Sequence, residues 1–365
     1  MTPRRCFLRS ATLLSLLAAL LSATAACLEV GFYDTRCPSA ETIVQQTIAT
    51  AFRNDSGVAA ALLRLISDAS TSLLQGCDGS VLINSVPPNS STAEKDAIPN
   101  NPSLHFFDVV DRAKAALEAQ CPGVVSCADI LAFAARDSVV LTGGLGYQVP
   151  AGRRDGRVSN ESETNQLPPP FFNSTQLAEN FASKNLTLED MVVLSGAHTI
   201  GVSHCSSFAG IPNKDFGDRL YTFNGSADGV DPSLSKAYAL LLKSVCPSNS
   251  SRFFPTTTPF MDIITPTKFD NKYYVGLQNN LGLFISDAAL MTNATMKSLV
   301  DSFARSESTW KRKFAKSMIK MGQIEVLTGT QGEIRRNCRV VNPATTGSQV
   351  VTESGSSGFH GAAAS

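Results

Sequence analysis

The chain has 365 residues, of which 43% are hydrophobic, so it is long enough to bury a large core. Its formal net charge is zero and it has a single tryptophan, which gives no basic or aromatic footprint for nucleic acid. We therefore predict no nucleic-acid partner.

The first predicted element is a secretory signal at 1–25. Arg4 and Arg5 precede an apolar core, Ala11–Leu21, and a small-x-small cleavage site follows at 23–25. The apolar core is too short to span a bilayer, and no later segment reaches the required length. The sequence thus predicts a secreted, extracellular protein with no membrane span.

Cysteines and glycosylation sequons fit that compartment. One of the nine cysteines, Cys6, lies in the signal, which leaves an even count that suits disulfides. Sequons for N-glycosylation stand at Asn54, Asn89, Asn160, Asn173, Asn185, Asn224, Asn249 and Asn293, and we expect only some to be used.

The dominant hydrophobic period is helical. Apolar spacing of three to four predicts helices over Ala40–Arg53, Val109–Glu118, Asp129–Thr142, Thr175–Lys184, Leu188–Ser195, Ser233–Val245, Lys272–Asn280 and Met296–Met321. Thr175, Thr187 and the run 231–233 are the predicted helix starts. We predict an all-α domain over 26–342, with long loops at 84–104, 146–172 and 247–270. The Ser/Gly/Ala/Thr-rich tail at 343–365 is predicted to be disordered.

A candidate metal ligand lies directly after one predicted helix. His198 follows an apolar stretch and precedes Thr199, and a neutral imidazole is the usual axial ligand of haem iron. Taken alone, a histidine whose ring bonds a backbone carbonyl is an equally good interpretation. Asp287 offers a carboxylate that could accept the second ring N–H, which would make the imidazole more anionic and favour oxidised iron.

The segment 262–270 places oxygen ligands at intervals of three and five. With Thr199, the side chains of Asp262, Thr265 and Asp270 could form a site for a hard cation of the calcium type. The alternative is an ordinary Pro-containing turn whose carboxylates are solvated.

Several ordered motifs along the chain make a resemblance specific. They are Cys37-Pro38, Glu94–Ala97, Val125–Ala132, Val149–Gly156, Leu167–Pro170, Leu194–Cys205 and Phe269–Tyr274. With these motifs the chain resembles the secreted plant haem peroxidases of class III, from Phe32 to Asn342.

The resemblance implies an all-α, two-lobed haem peroxidase fold, with haem b between a distal and a proximal half and few short strands. It implies reduction of hydrogen peroxide and oxidation of small phenolic donors, such as lignin precursors, by a monomer. The tail at 343–365 lacks the apolar character expected of a vacuolar sorting propeptide, which favours the cell wall over the vacuole.

The resemblance also implies roles for residues. His198 is the axial iron ligand, with Asp287 as its partner. The proximal calcium ligands are Thr199, Asp262, Thr265, Asp270 and the carbonyl of Lys268, and a partial distal calcium site comprises Gly76, Asp78, Ser80 and Glu94. Asn100 matches the residue that orients a distal histidine, and Pro168 lies where donors meet the haem edge. The implied disulfides are Cys37–Cys121, Cys127–Cys338 and Cys205–Cys246.

The distal helix departs from the family pattern. After Arg-Leu the family has His-Phe-His-Asp-Cys-Phe and a short link to Gly-Cys-Asp, whereas Arg64-Leu65 is followed by 66–75, two residues longer and without histidine. The distal acid/base, a calcium-binding aspartate and the partner of Cys77 are lost together. Arg64 remains as the candidate stabiliser of negative charge. Because two inserted residues rotate a helix by about 200°, we expect neither Ser67 nor Asp68 to take the lost histidine's orientation.

Alternatives therefore remain. The chain is an active peroxidase or a haem-binding pseudoperoxidase of low activity, and an unrelated disulfide-bonded helical protein without cofactor is the third interpretation. A misassigned exon junction at 66–75 is our hypothesis for the departure. Cys27 and Cys77 could pair with each other, but we expect both to be free.

Overall fold

The computed structural model describes residues 27–71, 76–88, 90, 92–209, 218–226, 229–248 and 257–343. The predicted signal at 1–25, the sequons Asn89 and Asn249 and the tail beyond Pro343 lie outside these residues. In the described part, no helix has both the length and the apolar character needed to cross a membrane.

The described residues are organised as helices joined by loops. They form α1 (Ala40–Asn54), α2 (Gly57–Thr71), α3 (Phe107–Gln120), α4 (Cys127–Leu141), α5 (Ser174–Ala182), α6 (Leu188–Ser195), α7 (Lys236–Val245), α8 (Lys272–Gln278), α9 (Ile285–Ala289), α10 (Ala294–Arg305) and α11 (Glu307–Met321). Strand pairing among them is limited to isolated β-bridges such as Glu29 with Ala151. The predicted all-α fold is confirmed.

The first half of the fold is built around α4. The Ser126 side chain caps this helix by accepting the backbone N–H of Asp129 at 3.1 Å, and almost every residue from Cys127 to Val139 is buried. Helices α1, α2 and α3 pack against α4. An apolar helix surrounded on all sides is typical of a domain centre, and α4 therefore fixes the position of α2.

The second half contains α6, α8, α10 and α11, with α6 against α11 and α8 against α10. Trp310 lies fully buried at its centre, stacked on Phe269 with ring centroids 4.9 Å apart. A smaller apolar cluster surrounds the Cys205–Cys246 disulfide and α7. These packed elements carry His198 and Asp287.

The prediction of one helix over Met296–Met321 is wrong, because the chain turns between α10 and α11. Ser306 has extended backbone angles, φ −138° and ψ 89°. The side-chain amide of Asn271 donates to the carbonyls of Phe303 and Ala304 at 2.9 and 2.8 Å. These carbonyls belong to the last turn of α10, where backbone partners run out, so a residue distant in sequence stabilises the break.

The predicted helix starts have mixed outcomes. Thr187 is confirmed as the cap of α6, where it forms a capping box with Asp190. The prediction that Thr175 starts α5 is wrong, because Asn173 caps this helix by accepting the N–H groups of Thr175 and Gln176. The start at 231–233 is also wrong, because α7 begins later, with Ser235 as its cap.

The structure contains the three disulfides implied by the resemblance: Cys37–Cys121, Cys127–Cys338 and Cys205–Cys246. Cys27 is also disulfide-bonded, so the expectation that it is free is wrong. The Cys77 thiol is buried, with Sγ 3.6 Å from the carbonyl oxygen of Met321.

Candidate functional site

His198 lies in a 3₁₀ turn, Gly196–Thr199, that continues α6. The turn packs so closely on the second core that a Cβ at Gly196 would lie 2.6 Å from Trp310 Nε1. Thr199 is fully buried, whereas the His198 side chain keeps 35% of its surface exposed. Tight packing below the turn therefore leaves the imidazole as the accessible group above it.

A buried carboxylate holds one nitrogen of that imidazole. Nδ1 of His198 lies 2.7 Å from Oδ1 of Asp287, which is 2% exposed. Burial opposes ionisation of Asp287, but its charge interaction and hydrogen bond with His198 lower the carboxyl pKa overall. An ionised carboxylate only accepts hydrogen bonds, so Nδ1 carries the proton and Nε2 is left as the basic nitrogen.

Two more donors complete the surroundings of Asp287. The backbone N–H of Phe284 donates to Oδ2 at 2.8 Å, and the Tyr273 hydroxyl donates to Oδ1 at 2.8 Å. The rings of Tyr273 and Phe284 also lie edge-on to the imidazole, with centroids 5.9 and 5.5 Å away. These contacts fix the ring orientation that an axial metal ligand requires, so the residues present fit haem iron.

Arg64 and Asp68 lie on one face of α2 as an ion pair. Arg64 Nε donates to Asp68 Oδ2 at 3.0 Å; the arginine side chain is 45% exposed and the aspartate 2%. Burial raises the pKa of Asp68, and the charge of Arg64 partly opposes this.

The helical phase of α2 is therefore preserved through position 68, because α2 runs without interruption to Thr71. In the family motif the second histidine follows the arginine by four residues, which is the spacing of Asp68 from Arg64 and places both on one helix face.

The same face of α2 approaches the His198 segment. A Cβ at Gly201 would lie 3.0 Å from Cβ of Ala60, and Ala60 precedes Arg64 by one helical turn. Gly201 has φ +98°, a conformation that glycine adopts readily. The chain thus brings the arginine face of α2 close to the segment that carries the histidine.

Asn100 is buried, and only the nitrogen of its side-chain amide has a hydrogen-bond partner among the described residues. Its Nδ2 donates to the carbonyl of Glu94 at 2.9 Å, while Oδ1 has no hydrogen-bond partner among the described residues. A buried acceptor without a donor is unfavourable. The resemblance assigns Asn100 to orienting a distal histidine, and its Oδ1 is available to accept a hydrogen bond.

The candidate proximal cation ligands lie close together in the structure. Oγ1 of Thr199 lies 3.3 Å from Asp262 Oδ2 and 3.4 Å from the carbonyl oxygen of Lys268. Oγ1 of Thr265 lies 3.3 Å from the same Asp262 oxygen and 2.9 Å from Asp270 Oδ1. Burial raises the pKa of Asp262, and the charge of Asp270 adds to this. A cluster of oxygens with two carboxylates fits a hard cation.

The candidate distal cation ligands are buried as well. Asp78 Oδ1 accepts the backbone N–H of Ser80 at 2.9 Å, and Oδ2 has no partner among the described residues. Burial raises the pKa of Asp78 to about 7 and that of Glu94 to about 8, and each is further raised by neighbouring Glu163. The carbonyl of Gly76 accepts the N–H of Asp78 at 3.0 Å. Crowded buried carboxylates with an unused oxygen fit a bound cation.

Pro168 lies in a partly exposed segment beside the proximal elements. The carbonyl of Pro170 in this segment accepts the backbone N–H of Ser286 at 2.9 Å, next to Asp287. The structure therefore places the Pro168 segment next to α9, on the His198 side of the fold.

Sequence reasoning missed Tyr273, although the motif Phe269–Tyr274 contains it. Its hydroxyl contacts Asp287 across 14 residues of sequence. A tyrosine on an apolar helix face looks like a core residue, so the sequence carried no signal for this contact.

The all-α fold and the carboxylate-paired histidine together define a protein of the haem peroxidase class. A family model described as peroxidase matches residues 44–306. The chain is 53% identical to "Peroxidase 1" of Zea mays over 345 residues, covering 93% of this chain and 90% of the relative. It is also 53% identical to "Peroxidase 5" of Vitis vinifera over 317 residues, covering 86% and 92%. "Peroxidase 64" of Arabidopsis thaliana is 47% identical over 311 residues, covering 85% and 92%.

These matches cover most of this chain and most of each relative. The chain belongs to the peroxidase family, among the class III plant peroxidases. Its enzyme class is therefore peroxidase, and the family implies haem and calcium.

Proposed function

We propose that this chain is a secreted peroxidase that reduces hydrogen peroxide and oxidises small phenolic donors in the cell wall. In this proposal it acts as a monomer and uses haem b as its cofactor. The observation that carries the proposal is the 2.7 Å contact between His198 Nδ1 and the buried carboxylate of Asp287. It leaves Nε2 basic and fixed in direction, as an axial iron ligand must be.

Each residue then has a defined task. His198 Nε2 would hold the iron of haem b, and the haem would supply the redox chemistry when bound. Asp287 holds the Nδ1 proton and keeps electron density on the imidazole. Arg64 offers positive charge to the leaving oxygen of peroxide. The Pro168 segment provides the rim at which phenolic donors approach, while 26–342 forms the catalytic domain.

A second candidate is a haem-binding pseudoperoxidase. It is favoured by the pairing of Arg64 with Asp68 and by the unpaired Oδ1 of Asn100. Peroxide activation needs a distal group that takes a proton from one peroxide oxygen and returns it to the other. Oδ2 of Asp68 already accepts a hydrogen bond from Arg64 Nε, so this oxygen is not available to a peroxide proton.

Stopped-flow mixing of the purified holoprotein with hydrogen peroxide separates the two candidates. A change of the haem spectrum that accelerates linearly with peroxide, followed by its reversal on adding a phenol, is the expected result. A spectrum that stays constant for minutes at millimolar peroxide would instead identify the pseudoperoxidase.

The two oxygen clusters are proposed as calcium sites, and calcium should stabilise the fold. At about 100 times its dissociation constant, a ligand of the folded state adds about 2.7 kcal/mol per site to the free energy of unfolding. We expect Asp262→Asn to remove the proximal part of this gain and Asp78→Asn the distal part. Thermal unfolding with calcium and with chelator measures both.

The matched control is Asp301→Asn, since Asp301 is a carboxylate on α10 that binds Gln278 and Lys297 rather than either cluster. Equal calcium shifts in all three variants would refute the assignment of these sites.

A further inference from the structure

Tyr273 shares an oxygen of Asp287 with the axial histidine. Its hydroxyl donates to Oδ1 at 2.8 Å, and His198 Nδ1 lies 2.7 Å from the same atom. Tyr273 is 3% exposed and Asp287 2%, so water does not replace either donor. The peroxidase assignment leaves this tyrosine without a role.

We propose that Tyr273 is a positioning residue that sets the strength of the bond between Asp287 and His198, and through it the reduction potential of the haem iron. This inference rests on the proposed role of His198 as the iron ligand.

The physical argument concerns competition for one carboxylate oxygen. Each donor to Oδ1 stabilises the negative charge of Asp287 and weakens its pull on the other donor's proton. When the Tyr273 hydroxyl donates to Asp287, the hydrogen bond from His198 Nδ1 to Asp287 is weaker. The imidazole is then less anionic and donates less charge to the metal, which disfavours the oxidised state of the metal relative to a site without the hydroxyl.

Among the residues that the structure describes, the Tyr273 hydroxyl has Asp287 as its hydrogen-bond partner. Tyr273 belongs to α8, and its ring lies edge-on to the His198 ring at 86°, so the ring and the hydroxyl are fixed by the same two neighbours. Phe284 N–H occupies the other carboxylate oxygen. Asp287 therefore has three donors, and of these three bonds only that of Tyr273 can be removed without changing the backbone or the iron ligand.

The neighbouring Tyr274 supplies a matched control. It is also on α8 and fully buried, but its hydroxyl donates to the carbonyl of Val192 at 2.8 Å and not to a carboxylate. Tyr274→Phe loses a buried tyrosine hydrogen bond to a neutral carbonyl, so it reports the cost of removing a hydroxyl from α8 without touching Asp287.

The test compares the ferric/ferrous reduction potential and the iron–histidine stretching frequency in holoenzyme of the wild type, Tyr273→Phe and Tyr274→Phe. A buried hydrogen bond contributes about 1 kcal/mol, so Tyr273→Phe is expected to favour the ferric form about three- to tenfold. At 59 mV per tenfold for one electron, the potential falls by about 30 to 60 mV. The stretching frequency rises, and Tyr274→Phe matches the wild type in both readouts.

A second variant is expected to shift the reduction potential in the opposite direction. Site-specific 3-fluorotyrosine at 273 makes the hydroxyl a stronger donor with little change in size, so the potential is expected to rise; this variant also serves if Tyr273→Phe does not fold. In an Asp287→Asn background, Tyr273→Phe should leave the potential unchanged, since the shared carboxylate is gone.

Unchanged potentials in both Tyr273 variants, or shifts equal to that of Tyr274→Phe, would overturn the inference. Failure of the proposed function looks different, because there the wild type itself would lack a haem spectrum that depends on His198.

Discussion

Asp68→His is expected to raise the second-order rate of reaction with hydrogen peroxide by about 10²–10⁴-fold, the usual contribution of general acid–base catalysis. Position 68 follows Arg64 by four residues on an unbroken helix, so an imidazole there faces the same way as the arginine. The substitution also releases Arg64 from its carboxylate partner. The arginine is then available for the leaving oxygen.

The buried amide of Asn100 provides the second reason for this expectation. Its Oδ1 has no partner among the described residues and can accept an imidazole N–H, which would hold the other ring nitrogen as the base. Stopped-flow rates at pH 7 against peroxide concentration measure the gain.

Two variants control for this gain. Asp68→Asn frees Arg64 without adding a base, and Ser67→His adds a base on a different helical phase. A rate for Asp68→His no higher than that of Asp68→Asn would show that position 68 does not face the peroxide site. Asn100→Ala in the Asp68→His background should give back a substantial part of the increase.

His198→Ala is expected to abolish axial ligation and with it stable haem binding. The alanine leaves the iron without its protein ligand, and Asp287 without the hydrogen-bond partner that lowers its pKa. Loss of a residue that only orients a metal ligand costs about 10–100-fold in affinity, so loss of the ligand itself should exceed that range. Haem titration followed by the Soret absorbance measures it.

Added imidazole is expected to restore the spectrum of His198→Ala in part, because the cavity and Asp287 remain. His204→Ala is the control: His204 lies six residues further on in a loop, at partial exposure, and contacts neither Asp287 nor Tyr273 in the described structure. A His198→Ala protein with wild-type Soret absorbance would disprove the iron-ligand assignment and the function that depends on it.

The helical fold could be read from apolar periodicity because most helices bury one continuous face. Leu188–Ser195 was predicted to the residue, since Thr187 and Asp190 encode its start locally. The break between α10 and α11 could not be predicted. It depends on Asn271, the residue before α8, whose side chain contacts the end of α10. The apolar spacing of the sequence continues through the turn between the two helices.

The site shows the same division. His198, Asp287 and the cluster around Asp262 follow from motifs whose members converge in the structure. The ion pair of Asp68 with Arg64 was not predicted, because counting inserted residues does not say where in the chain the extra length is placed. The role inferred for Tyr273 depends on a distance between two helices, which no local pattern encodes.

One short stretch of chain, 270–273, joins three parts of the molecule. Asp270 belongs to the oxygen cluster, Asn271 holds the end of α10 and Tyr273 reaches Asp287. The cation cluster and the proximal carboxylate are thus mechanically linked by fewer than two helical turns of backbone. Removing the cation with a chelator should therefore weaken the hydrogen bond from Tyr273 to Asp287. We expect this to change the electronic properties of the haem before the protein unfolds.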